Sequence, residues 1–185
     1  MNKDAIIKGY ITNLGKYNEG ELIGKWIEFP ISDDELQNVL KEIGCYYVDG
    51  DGVEHNVEYE EYFFTDWNND IPFDFGEYPD LEEVNEFAER VEALSEQEQE
   101  YLELLIENHT RDISEALDII EGGDYVVWND CYCMADVAYN YVEDTGMLNN
   151  IPSNIANYFD YVALGRDMDI EGIFLEGNGY FLEVF

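Results

Sequence analysis

Residues 80–110 read DLEEVNEFAERVEALSEQEQEYLELLIENHT. Leu81, Val84, Phe87, Ala88, Val91 and Leu94 recur at intervals of three and four, the spacing of one buried stripe on a helix. Glu82, Glu86, Glu89 and Glu92 fall on the other faces. Asp80 and Glu83 open the segment. Ser95 with Glu98 then gives a capping signature before a second helix carrying Tyr101, Leu102, Leu105 and Ile106. A third helix is expected over 113–121, stopped by Gly122 and Gly123. The stretch 79–121 therefore predicts a helical unit with its carboxylates turned outward.

To the N-terminal side, 1–78 reads as a small α+β unit. Residues 5–14 and 21–29 are expected strands, with Asn18 and Gly20 making a hairpin-like connection. Ser32 and Glu35 form a capping box ahead of Leu36, Val39, Leu40 and Ile43, and Gly44 supplies the stop. Asp49, Gly50, Asp51 and Gly52 read as a turn, 57–65 as a strand and 66–79 as a loop. To the C-terminal side, 122–185 is a second α+β unit. It is expected to hold a strand at 124–128, helices near 133–143 and 153–163, and a closing hairpin of strands 171–176 and 180–185. The fold class is thus α+β, with antiparallel sheet and helix at both ends and an acidic helical middle.

Charge is the strongest signal about function. Forty-four Asp and Glu face eight Lys and Arg, a formal net charge of −36. Disordered acidic tails lack the residues to build a core. This chain is 46% hydrophobic and 15% aromatic, so it should fold against its own repulsion. Residues 61–121 hold 20 acids and two bases, more than either flank. Acids alternate with apolar residues, which points to ordered acidic faces. No stretch reaches the ~18 apolar residues of a membrane span. The N-terminus lacks a long apolar signal core, so a cytoplasmic protein is expected. Cys45, Cys131 and Cys133 read as ordinary thiols of a reducing compartment.

Catalytic chemistry finds little support. His55 and His109, the two histidines, fall in different predicted units. With so many carboxylates, a pair at glycosidase spacing arises by chance. Asp66, Asn68, Asp70, Asp74 and Glu77 match liganding positions of a calcium loop. However, Ile71 stands where its glycine is needed and Pro72 follows. No metal, cofactor or catalytic residue is assigned. A dispersed halophilic surface is the bland explanation of the charge, and the concentration of acids in the middle argues against it. Mimicry of DNA is the sharper one. At one charge per ~1.7 Å, 36 charges correspond to about 60 Å of duplex, roughly 18 base pairs.

The chain resembles the ArdA family of antirestriction proteins almost end to end. LGKYNEGELIGKWIEFP (14–30) resembles the family's opening hairpin, and EYEEYFFTDW (58–67) the close of its first domain. DYVVWNDCYCMADVAYNYVEDTG (124–146) resembles the region of the antirestriction motif. IPSNIANYFDYVALGRDMDI (151–170) resembles the most distinctive block, with Tyr158, Asp160, Tyr161, Gly165, Arg166 and Asp167. The chain departs from the family pattern at Ala138–Tyr139–Asn140, where an arginine is expected.

The resemblance implies an elongated, curved, non-catalytic protein of three small domains (1–78, 79–121 and 122–185) that dimerises through the last. It implies carriage by mobile elements and occupation of the DNA groove of type I restriction–modification enzymes, with no direct binding to nucleic acid or membrane. On that reading the phosphate-mimicking carboxylates are Glu82, Glu83, Glu86, Glu89, Glu92, Glu96, Glu98, Glu100, Glu103, Glu107, Asp112, Glu115 and Asp118. Tyr125, Val126, Val127, Trp128, Met134 and Val137 are the candidates for the dimer interface or the core behind it. Arg166 is expected to form a structural ion pair. The alternative class is an acidic module that sequesters some other basic DNA-binding protein.

Overall fold

The computed structural model describes residues 6–45, 47–48, 52, 54–55, 61–69 and 71–185. The chain folds as two compact units, Met1–Gln99 and Glu100–Phe185. The mixed α+β class is as expected. Each unit has a three-stranded antiparallel sheet with helices packed on it.

In the first unit, Ile7–Asn13 (β1) is the central strand, flanked by Gly24–Phe29 (β2) and Tyr62–Asn69 (β5). Ile7 and Ile11 are buried from one face, while Lys8 and Tyr10 remain half-buried on the other. The expected turn after β1 is instead a short helix, Leu14–Asn18 (α1). Asn13 drives this difference: it is fully buried, its side chain accepts from the Lys16 N–H at 2.9 Å, and its amide donates to the Ile43 carbonyl at 3.0 Å. The helix Asp33–Glu42 (α2) begins at the expected Ser32–Glu35 capping box. Tyr47–Val48 (β3) and Glu54–His55 (β4) pair as a small antiparallel ladder. The turn expected at 49–52 and the start of the strand expected at 57–65 lie largely outside the described residues. β5 runs on to Asn69, four residues past the expected end, because each residue from Asp66 onward pairs with β1.

Leu81–Ala93 (α3) starts at the Asp80 cap and buries Val84, Phe87, Ala88 and Val91. A chain of aromatic contacts ties it to the sheet. Phe64 stacks on Trp67 at 4.7 Å, Trp67 meets Phe75 at 5.0 Å, and Phe75 meets Phe87 at 5.6 Å. Such pairs add about 0.5–1.5 kcal/mol each beyond burial. Asn85 adds a polar tie. Its side chain accepts from the Ile31 N–H at 2.8 Å and donates to the Ile31 carbonyl at 2.9 Å. Removing the amide strands both backbone groups.

The second unit begins within Glu96–Asn108 (α4), the helix on which Tyr101, Leu102, Leu105 and Ile106 are buried. Ile113–Gly122 (α5) ends at Gly123, whose φ of +70° requires glycine's left-handed freedom. Tyr125–Asn129 (β6) and Ile173–Glu176 (β7) flank the central Tyr180–Val184 (β8). One sheet face meets α4, where Tyr101 contacts the rings of Tyr125 and Tyr180. On the other face Phe181 packs with Val137 and Cys131, surrounded by Trp128, Met134, Met168 and Phe174.

Helix Met134–Thr145 (α6) supplies part of that core. The single helix expected near 153–163 is two, Ser153–Ala156 (α7) and Tyr161–Glu171 (α8). Asp160 separates them by capping α8, accepting from the Ala163 N–H at 3.0 Å. α8 crosses α6 at Gly165, where a methyl group would collide with the Met134 carbonyl. Gly165→Ala should therefore lower stability by about 1–3 kcal/mol through overpacking, read as a shift of the denaturant midpoint. Asn85→Ala should cost about 1–3 kcal/mol by stranding the Ile31 backbone groups, checked the same way.

Candidate functional site

The acidic array starts from the binary pattern of α3. Its apolar stripe is held by the sheet and aromatic loop, so Glu82, Glu83, Glu86, Glu89 and Glu92 are left exposed. At 1.5 Å rise per residue these five carboxylates occupy about 15 Å of helix axis. That is about one charge per 3–4 Å, close to the ~3.4 Å spacing of phosphates along one DNA strand. The array works against local stability. Glu82 and Glu86 are four apart and Glu86 and Glu89 three apart, a separation at which like charges cost about 0.2–0.5 kcal/mol a pair.

On α4 and α5 the candidates divide. Glu96, Glu100, Glu107, Asp112, Glu115 and Asp118 are exposed, whereas Glu98 and Glu103 are half-buried. Several also hold the fold. Glu98 accepts from the Ser95 N–H at 2.8 Å and its hydroxyl at 2.7 Å, which keeps the carboxyl below its ordinary value of 4.5. Asp112 caps α5, accepting from the N–H groups of Ser114 and Glu115. Thr110 donates its hydroxyl to Glu115. Burial pushes the Tyr180 hydroxyl well up, and the Glu100 carboxylate adds to this through its charge and a hydrogen bond. The array is thus uneven: α3 is nearly all display, while α4 and α5 mix display with capping.

Four of the described bases have ion pairs of known geometry. Lys8 pairs with Glu28 at 2.7 Å, Lys16 with Glu19 at 2.9 Å, and Lys25 with Glu42, all in the first half of the first unit. Arg166 pairs with its neighbour Asp167 at 3.1 Å, and the pair is exposed. Exposed pairs of this kind contribute about 0–1 kcal/mol.

Of the six residues proposed for the interface or its core, Val137 is fully buried and Trp128 and Met134 pack on the same cluster. Trp128 also donates its indole N–H to Glu183 at 2.9 Å. Tyr125 lies against Tyr101, Val127 is half-buried, and Val126 is exposed. At the position where an arginine was expected, Ala138 is fully buried and Asn140 donates to the Cys131 sulfur at 3.2 Å. Burial raises the Cys131 thiol, and pushes the Cys45 thiol up to about 11, so neither is ionised at neutral pH.

Asp66 and Asn68 sit on β5, paired with Tyr10 and Lys8, instead of in a calcium loop; Asp70 lies outside the described residues. Among the described residues no three His, Cys, Asp or Glu side chains are gathered where they could hold a metal ion. No described helix is long and apolar enough to cross a membrane.

Among the described residues, α3 presents an exposed row of five glutamates. The family model described as antirestriction protein (ArdA) matches residues 9–182. The chain belongs to the ArdA family of antirestriction proteins. No curated protein matches it.

The cap carboxylates give a pH signature. Glu98 has a lowered value in the folded state, so its contribution is complete above 4.5 and is lost as pH falls through the folded value. The stability gap between the wild type and Glu98→Ala should be widest near pH 7 and close on acidification, as read by urea midpoints from pH 7 to 3. A gap that widens would contradict the cap assignment.

Proposed function

We propose that this ArdA protein imitates B-form DNA, occupying the DNA-binding groove of type I restriction–modification enzymes as a homodimer and catalysing no reaction. The observation that carries the reading is the run of exposed glutamates on α3, spaced close to the phosphates of one strand. A groove lined with Lys and Arg would exchange phosphates for these carboxylates. The energy would be electrostatic, spread over many contacts and indifferent to DNA sequence. The proposal includes an elongated display of charge over the three parts 1–78, 79–121 and 122–185, contact between copies through the last, and carriage by mobile elements in a cytoplasmic setting.

A catalytic acid is indispensable alone, whereas a phosphate mimic divides its binding. Glu86→Gln, Glu89→Gln or Glu92→Gln should each change inhibition little, by about 1 kcal/mol or less. Neutralising Glu82, Glu86, Glu89 and Glu92 together with Glu96 should weaken it progressively with folding intact. Inhibition constants and melting temperatures across this ladder test the claim. One substitution that abolishes inhibition in a folded protein, with the others silent, would contradict it. Inhibition confined to some other basic DNA-binding protein would favour the sequestering module.

A further inference from the structure

The segment after Asp66, whose acids match some positions of a calcium loop, builds a cavity instead. β5 is an edge strand of its sheet, and the chain beyond it turns back so that 73–77 returns to its side. Three hydrogen bonds hold the return. The Phe64 N–H donates to the Glu77 carbonyl at 2.9 Å, the Trp67 indole N–H to the Gly76 carbonyl at 2.9 Å, and the Asn69 amide to the Phe73 carbonyl at 2.8 Å. Between strand and return lies a cavity of about 370 Å³. Phe64, Trp67 and Phe73 give it aromatic walls, and Asp66, Asp74 and Glu77 line it with carboxylates.

These walls are not those of a packing gap in a core. Phe64 is buried and stacks on Trp67, whereas Trp67 and Phe73 are only half-buried and all three acids are exposed. Aromatic and anionic surface therefore meet at one opening. None of the three acids is ion-paired with a described residue. Among the described residues no three acids are gathered closely enough to hold a metal ion. The volume falls in the range of about 300–1,000 Å³ typical of organic ligand sites. A cation larger than a metal ion, with its charge spread over several atoms, fits this lining.

Resting on the DNA-mimic reading above, we propose that the cavity takes the guanidinium of an arginine side chain presented by the basic partner. A guanidinium is flat, so it can lie against an aromatic ring while its five N–H donors reach carboxylates at the rim. The ammonium of lysine is a compact, strongly hydrated charge that gains less from the same walls. Concave, low-dielectric walls also focus the field of the three acids, which the convex surface of α3 does not do for its glutamates. The cavity thus differs from the phosphate-like array: it selects one kind of side chain, where the array accepts any cation.

The test follows the indole N–H signals of Trp26, Trp67 and Trp128 in proton–nitrogen correlation spectra of the full chain at about 0.15 M salt. The probe is N-acetyl-arginine amide. The Trp67 signal should move and saturate while the other two stay in place, and N-acetyl-lysine amide should bind at least about fivefold more weakly. Asp66→Asn/Asp74→Asn keeps oxygens that can accept from the Trp67 and Gly76 N–H groups, so the fold should stand. It should weaken the arginine probe at least about tenfold. Glu86→Gln/Glu89→Gln removes the same charge from α3 and should leave the probe unaffected. Against a type I enzyme, the Asn pair should raise the inhibition constant several times more than the Gln pair. Glu77→Gln, which leaves the carbonyl bond to Phe64 in place, should act in the same direction and replaces the Asn pair if that variant loses structure. A Trp67 signal that stays put, drifts without saturating, or answers both probes alike overturns the site. So does an arginine shift that survives in the Asn pair. Probe binding with the Asn and Gln pairs equal in inhibition overturns the partner's arginine as occupant. Inhibition that persists without any probe shift sinks this site and leaves the mimic reading standing, whereas a wild type that inhibits no type I enzyme sinks the mimic reading and the occupant with it.

Discussion

The anchoring of the acidic helices by their apolar stripes is the interaction on which the rest depends. A chain carrying −36 stays folded only if each helix that repels its neighbours is fastened from behind. On α3 the fastening is Val84, Phe87, Ala88 and Val91 beneath, the aromatic run from Phe64 to Phe87, and the double hydrogen bond of Asn85 to Ile31. Burial of one such side chain is worth about 1.5–3 kcal/mol, against a few tenths for each like-charge pair on the surface. The imbalance lets glutamates accumulate outside without melting the helix.

Lys8, Lys16 and Lys25 each meet a glutamate close by in the first unit. The exposed face of α3 carries five acids, and Arg90 at its edge is already engaged. Carboxylates that cap helices are fixed in place by backbone N–H groups. Those on the open face of α3 answer only to solvent and to whatever cations approach.

Helices with both a cap and a stripe were legible in the sequence. Ser32, Asp80 and Ser95 each precede an apolar period, and α2, α3 and α4 begin at those caps. The failures have local causes. α1 depends on Asn13 reaching Ile43, thirty residues away, which no window along the chain contains. β5 runs past its expected end because β1 continues beside it. The break between α7 and α8 turns on Asp160, whose capping role competes with its appearance as one more surface acid. At the candidate site, the acids of α3 were legible because exposure follows from the stripe. The double duty of Glu98, Glu100 and Asp112 was harder to see, since a carboxylate looks the same in sequence whether it caps, bonds a tyrosine or faces solvent. Asn85 carried no sequence signal at all; its partner is a backbone amide just past a distant strand end.

The central claim is that carboxylates stand in for phosphates, and the most direct measurement is competition with DNA. A purified type I methyltransferase core is titrated with the protein in the presence of labelled duplex DNA at several salt concentrations. The account predicts mutually exclusive binding, with affinity for the protein falling as salt rises. A ternary complex with DNA still bound, or an affinity unchanged by salt, would contradict it.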